Sequence, residues 1–203
     1  SREMEGTRCR FRTTADVDLY PLQLEQVSME SASSGQSALR LRFATLPGAT
    51  LGQAGIERLR LHLVGEPAYT LYYWLCRYVG KIKLRLLTQG RPAEELGLPD
   101  CKIQPFGFAK EEALLPYPQT AFDGYRLLQE YFAFPQKFLA VDLSDLRPLA
   151  RRSSATTFEI LILFTKAPPA SLRVSKDHVR LFCTPIVNLF TTDSQPIQVS
   201  HER

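Results

Sequence analysis

Four stretches of this chain place an apolar or small residue and a cation or imidazole at alternate positions, and that period of two constrains the fold more than any other feature. Leu39, Leu41 and Phe43 alternate with Arg40 and Arg42, and Leu59, Leu61 and Leu63 with Arg58, Arg60 and His62. Ile82, Leu84 and Leu86 alternate with Lys81, Lys83 and Arg85, and Cys9, Phe11 and Thr13 with Arg8, Arg10 and Arg12. Side chains of a strand point to opposite faces in turn, so each stretch predicts a strand with one dry and one wet face. Leu22, Leu24 and Val27 supply another strand. The polar segment 28–37 joins it to the next, with the Ser and Gly content of an exposed hairpin loop.

Two segments switch to helical spacing. In residues 66–79, EPAYTLYYWLCRYV, Pro67 suits a first turn, and Ala68, Leu71, Tyr72, Leu75, Cys76 and Val79 form an inner stripe. The opposite side carries Tyr69, Tyr73, Trp74 and Tyr78, aromatics that another layer of the domain or another chain must cover. These four are candidate interface residues. The second helix is expected over 121–134: Pro116 and Pro118 disfavour helix before Thr120, Thr120 or Asp123 can cap the first turn, and Pro135 marks the end. Arg126, Gln129, Glu130 and Ala133 share one narrow stripe, leaving Tyr125, Leu127, Leu128, Tyr131, Phe132 and Phe134 around the rest. The pattern predicts a helix that covers a sheet with its apolar side. A partner-facing role for part of it is the alternative, with Tyr125 and Tyr131 as candidates. Beyond Pro135, Phe138, Ala140 and Asp142 alternate with Leu139, Val141 and Leu143, which predicts a strand buried on at least one face.

Residues 91–105, with Pro92, Gly97, Pro99 and Pro105, form a breaker-rich connection, and 146–157 (LRPLARRSSATT) a polar, basic, mobile loop. TFEILILF at 157–164 is a buried strand, 166–171 a turn, and 179–190 one or two strands divided at Thr184 and Pro185. The fold class expected is therefore α+β and β-rich, with antiparallel sheets packed sandwich-like and two covering helices. The chain divides into a strand-rich part with one inserted helix at 1–90 and a second such part at 91–203, or forms a single compact domain.

No GxSxG, HExxH, GxxxxGK[ST] or GxGxxG motif is present. Cys9, Cys76, Cys101 and Cys183 lie far apart without CxxC spacing, and read as free thiols suited to a reducing cytoplasm. His62 reads as an exposed imidazole among arginines, and His178, after Asp177, as a turn cap. Asp16 with Asp18, and Asp142 with Asp145, are carboxylate pairs without the Gly-bearing loop of a calcium site. No catalytic residue, metal site or cofactor is expected. The longest apolar run, 158–164, is strand-sized and contains Glu159, so no membrane-spanning helix is expected, and the opening SREMEGTRC shows no secretion leader. The formal net charge of +4 arises within residues 1–90, which carry 12 Lys and Arg against 8 Asp and Glu. Rows of cations on a sheet face raise an alternative function, a basic binding module for nucleic acid or another polyanion. Against it, Phe11 and Phe43, which would have to stack bases, fall on the opposite face.

GYRLLQEYFAFPQKFLAVDL at 124–143, preceded by PFGFAKEEALLPYP at 105–118 and followed by RLFCTPIVNLF at 180–190, resembles the TssF family, also called VasA or ImpG. CRFRTTADVDLYPLQL at 9–24 is similar to the family's preceding region, so the likeness is collinear over most of the chain. The resemblance implies an internal fragment of a longer subunit of the bacterial type VI secretion baseplate, on which the contractile sheath and tube are built. It implies TssG and a further TssF copy as partners within each wedge, with TssK linking the wedge to the membrane complex. Membrane insertion and nucleic-acid binding are not expected, and the implied location is the cytoplasm, at the secretion apparatus on the inner membrane. The mechanism implied is to hold geometry and transmit a conformational change through interfaces that bury aromatic anchors within a polar rim.

Overall fold

A computed structural model describes residues 2–4, 7–31, 35–87, 93–118, 120–151 and 155–189. Parts of the expected 28–37, 91–105, 146–157 and 179–190 segments lie outside the described residues. The strands are β1 (Arg2–Met4), β2 (Thr7–Cys9), β3 (Arg12–Thr13), β4 (Leu22–Ser31), β5 (Ser37–Thr45), β6 (Leu59–Leu63) and β7 (Val79–Leu87). They continue with β8 (Glu94–Gly97), β9 (Lys102–Pro105), β10 (Ala140–Ser144), β11 (Thr157–Phe164), β12 (Val179–Arg180) and β13 (Ile186–Val187). Helices are α1 (Leu51–Ala54), α2 (Ala68–Arg77), α3 (Asp123–Ala133) and α4 (Arg147–Ala150). The chain is thus α+β and β-rich, with antiparallel pairing in every sheet among the described residues.

The larger sheet has five strands in the order β4-β5-β11-β7-β8. The continuous apolar run of β11 takes the centre: Phe158, Ile160 and Ile162 pair with Phe43, Leu41 and Leu39 on one side and Leu86, Leu84 and Ile82 on the other. The Phe43 and Phe158 rings stack at 5.1 Å. On β4 a bulge between Leu24 and Gln26 shifts the phase, which puts Leu22, Leu24 and Val27 on one face despite their uneven spacing.

On the outer face acidic and basic strands alternate. Arg40 and Arg42 of β5 meet Glu30 and Glu25 of β4 at 3.5 and 3.1 Å. Glu159 of β11 lies between Arg40, at 3.6 Å, and Arg85 of β7, at 3.1 Å, and is almost fully buried there. Glu95 of β8 then receives Arg85 at 2.8 Å and Lys83 at 3.2 Å. Arg40, Arg42, Lys83 and Arg85 of the cation rows that suggested a polyanion track are thus neutralised by their neighbours in the sheet. Of the β5 and β7 rows, Lys81 at the start of β7 is the member without such a pair among the described residues.

The second sheet, in the order β12-β6-β10-β9, turns Leu59, Leu61 and Leu63 with Val141 and Leu143 toward the same core as the inner face of the larger sheet. Ala68, Leu71 and Leu75 of α2 complete that core. The other face of β6 is not simply wet. Arg60 forms a two-pronged pair with Asp142 at 2.7 and 2.8 Å and lies 3.4 Å over the Phe106 ring. His62, expected to be exposed, is half-buried with Nε2 enclosed, because the Phe106 ring and the chain around Cys183 close over it. Burial, followed by the charge of Arg60, holds its imidazole below the ordinary value of 6.5.

Other expectations shift in extent. The stretch 8–13 is not one strand: β2 pairs with β1, β3 pairs with β13, and Phe11 between them is exposed. Neither larger sheet takes it up, so its apolar face meets no core. The hairpin after β4 is tighter than expected, since pairing continues to Ser31 and Ser37. Residues 91–105 include β8 and β9, because Gly97 and Pro105 fall at strand ends, where no interior ladder position is lost. The start of 146–157 is anchored, since α4 packs beside α1 with Leu146, Leu149 and Leu51 wholly buried. Strand β10 begins only at Ala140, because Pro135–Phe138 form a 3-10 turn.

Candidate functional site

The segment between β9 and α3 has little regular structure, so its buried N–H groups need acceptors from elsewhere. Glu130 supplies them. Its carboxylate accepts from the amides of Leu114 at 2.8 Å and Leu115 at 3.4 Å, from Arg126 Nη1 at 3.3 Å and from Lys137 Nζ. Arg126 donates further to Asp123 at 2.9 Å and to the Phe108 carbonyl at 2.9 Å, while Glu112 accepts from the amides of Gly107 and Ala109. Buried charges persist where they are paired and hydrogen-bonded, and all three of these are: Arg126 is 2%, Glu130 0% and Lys137 1% exposed. The contact with Asp123 is the largest cause raising the Arg126 guanidinium above its ordinary value. Burial pulls the Lys137 ammonium below 10.5, with Glu130 opposing.

Of the expected polar stripe only Arg126 and Glu130 turn inward, Gln129 and Ala133 being exposed, and most of the rest of α3 turns outward. Phe132 is 82%, Phe122 72%, Tyr125 67% and Leu128 58% exposed, and Tyr131 and Phe134 are exposed as well. This reverses the expectation of a helix covering a sheet with its apolar side. Of the two expected covering helices only α2 buries an apolar stripe, because the amides of the 106–118 segment and Lys137 claim the carboxylate of Glu130. Tyr125, Leu128 and Phe132 lie at i, i+3 and i+7, a helix-packing seam, flanked by edge-on ring pairs Phe122–Tyr125 at 5.7 Å and Tyr131–Phe132 at 5.9 Å. Sequence reasoning missed Phe122 and the buried triad. The i, i+4 spacing of Arg126 and Glu130 was the available signal.

Helix α2 presents a second aromatic group. Tyr69 and Tyr73 are exposed, whereas Trp74 and Tyr78 are half-buried against the core. Tyr73 contacts Trp74 and Tyr78 edge-on at 5.3 and 5.6 Å, and the two tyrosine hydroxyls are 3.3 Å apart. The inner stripe is narrower than expected: Cys76 is exposed and Tyr72 half-buried, since β7 begins at Val79 and supplies the core from there.

The polar residues singled out in the sequence have local roles. His178 Nδ1 accepts from the Ser175 amide at 3.0 Å and caps its turn, as expected. Asp18 pairs with Arg58 at 2.6 Å and Asp145 with Arg147 at 2.8 Å. Among the described residues no group of three or more His, Cys, Asp or Glu is placed to hold a metal ion, and no helix is long and apolar enough to cross a membrane. The exposed aromatics form two candidate surfaces, the larger on α3.

Comparison with known proteins places the chain in a family. The family model described as "Type VI secretion system, TssF" matches residues 1–203. Type VI secretion system component TssF1 of Pseudomonas aeruginosa is 32% identical over 211 residues, covering 97% of this chain and 34% of its own length. A chain of the type VI secretion system TssK-TssF-TssG baseplate subcomplex, solved by cryo-electron microscopy, is 34% identical with a TM-score of 0.79. That match covers 96% of this chain and 37% of the solved one, so the chain spans about a third of the length of these relatives. It belongs to the TssF family of the type VI secretion system.

Proposed function

We propose that this chain is a structural, non-catalytic part of a type VI secretion baseplate wedge, supporting sheath and tube assembly through protein–protein interfaces. Its partners on this reading are TssG, a further TssF copy and TssK, and its place is the cytoplasmic side of the inner membrane, at the apparatus. The observation that carries the reading is the reversal of α3: a helix held from inside by three buried charges offers a fixed aromatic seam to a neighbour. Tyr125 and Tyr131 belong to this surface, and Tyr69, Tyr73, Trp74 and Tyr78 to a second one on α2.

Replacing both Tyr125 and Phe132 by serine in the full-length protein, and separately Tyr73 and Trp74 by alanine, tests each surface by co-purification with TssG and TssK. The expected result is weakened complex formation by a protein with unchanged far-UV circular dichroism. Undiminished complexes from both double variants overturn the assignment.

A further inference from the structure

On the larger sheet Arg40, Arg42, Lys83 and Arg85 meet carboxylates, but one groove at its edge gathers cations that do not. It holds about 720 Å³ where the end of α2 meets the start of β7, the end of β8 and the first residues of β9. Arg77, Lys81 and Lys102 line it, all three are exposed, and none forms an ion pair among the described residues. The fourth cation, Lys83, holds Glu95 at 3.2 Å, and among the described residues no carboxylate lines the groove. Its floor is apolar, with Leu75, Ile82 and Leu98 buried and Ile103 half-buried beside them.

We infer that this groove binds an extended acidic segment of a partner protein, one that alternates Asp or Glu with aliphatic residues. Charge complementarity argues for the acid: uncompensated cations beside low-dielectric walls concentrate their field on whatever enters. The apolar floor argues for aliphatic side chains between the acids. An open backbone edge argues for an extended segment, since among the described residues β9 pairs only with β10; the start of β7 offers less, because the Ile82 carbonyl already accepts from the Leu98 amide at 2.9 Å. Among the described residues the lining has no aromatic side chain, which argues against single-stranded nucleic acid, since that uses such rings as stacking platforms. This surface is separate from the aromatic faces of α2 and α3, and the inference does not depend on their assignment.

The test uses a fluorescein-labelled ten-residue peptide alternating Glu with Val or Ile, titrated with the 203-residue chain and read by anisotropy. Saturable binding that weakens at least tenfold between low and high salt is expected, with polyglutamate and an oligo-dT of equal charge at least tenfold weaker. Arg77→Glu, Lys81→Glu and Lys102→Glu together should abolish binding, while Lys166→Glu, Arg173→Glu and Arg180→Glu, the same charge change elsewhere, should leave it. Amide chemical-shift mapping on the unaltered chain should place the peptide against residues 75–83 and 97–104, without relying on any variant. No saturable binding at low salt, equal binding of polyglutamate or oligo-dT, or shifts confined to other residues would each overturn the inference.

Discussion

Replacing Glu130 by glutamine tests whether the buried charges hold α3 in its reversed orientation. The carboxylate serves four donors, the amides of Leu114 and Leu115 together with Arg126 and Lys137. Glutamine keeps the volume and one acceptor oxygen, but turns an amide N–H₂ toward groups that are themselves donors and leaves two enclosed cations without a buried counter-charge. Removing one partner of a buried ion pair costs about 3–5 kcal/mol. For a domain of this size each kcal/mol lowers the melting temperature by about 2–4 °C, so a fall of roughly 6–20 °C is expected. Urea unfolding would be followed by far-UV circular dichroism and by the fluorescence of the single tryptophan, Trp74, which reports the core from α2. The companion variant Arg126→Met, Glu130→Leu, Lys137→Met removes all three charges. It should lose less than the single change, because of the two amides that then lack this acceptor only that of Leu114 is buried, at about 1–3 kcal/mol, while that of half-buried Leu115 can turn to water. A single change costing under about 1 kcal/mol, or a triple variant less stable than the single one, would refute the reasoning.

Further expectations concern core, pH, thiols and backbone. Phe158→Ala, which removes a wholly buried ring stacked on Phe43, should cost about 3–5 kcal/mol in urea unfolding. Arg85, then Lys83, hold the Glu95 carboxyl below 4.5, and Arg126 holds that of Asp123 below 3.8. Their folded values lie below the unfolded ones, so their contribution is present above about pH 4.5 and is lost as pH falls further, and stability that rises on acidification would contradict the pairing. Burial pushes the Cys101 thiol up to about 11, so a maleimide should label exposed Cys76 and Cys183 in the folded chain and Cys101 only after unfolding, as mass spectrometry would show. Gly107 has φ +103° and a Cβ there would meet the Lys137 carbonyl at 3.1 Å, so Gly107→Ala should destabilise by at least about 1 kcal/mol in the same denaturation assay.

The sequence by itself determined the principal strands, their dry faces and the family, but neither the split of 8–13 nor β8 and β9. Period-two alternation is a local property of β5, β6 and β7, and it names the dry face wherever one sheet side is buried, whatever the partner strand. β11 was legible for a related reason, since a mostly apolar run of strand length, here broken by Glu159 alone, suits a strand covered on both faces. What tertiary structure alone decided was the sign of two surfaces. Whether the arginines of β5 and β7 face solvent or glutamates depends on which strands become neighbours, and strand order is not written in any one strand. Whether α3 buries its aromatics or its charges depends on the unpaired amides of a loop up to sixteen residues away. Helical spacing separates the polar stripe from the apolar one but does not say which faces inward. Glu130 decides that: turned outward it would leave the Leu114 N–H and the Lys137 ammonium buried without this partner, whereas outward rings can still be covered by another surface.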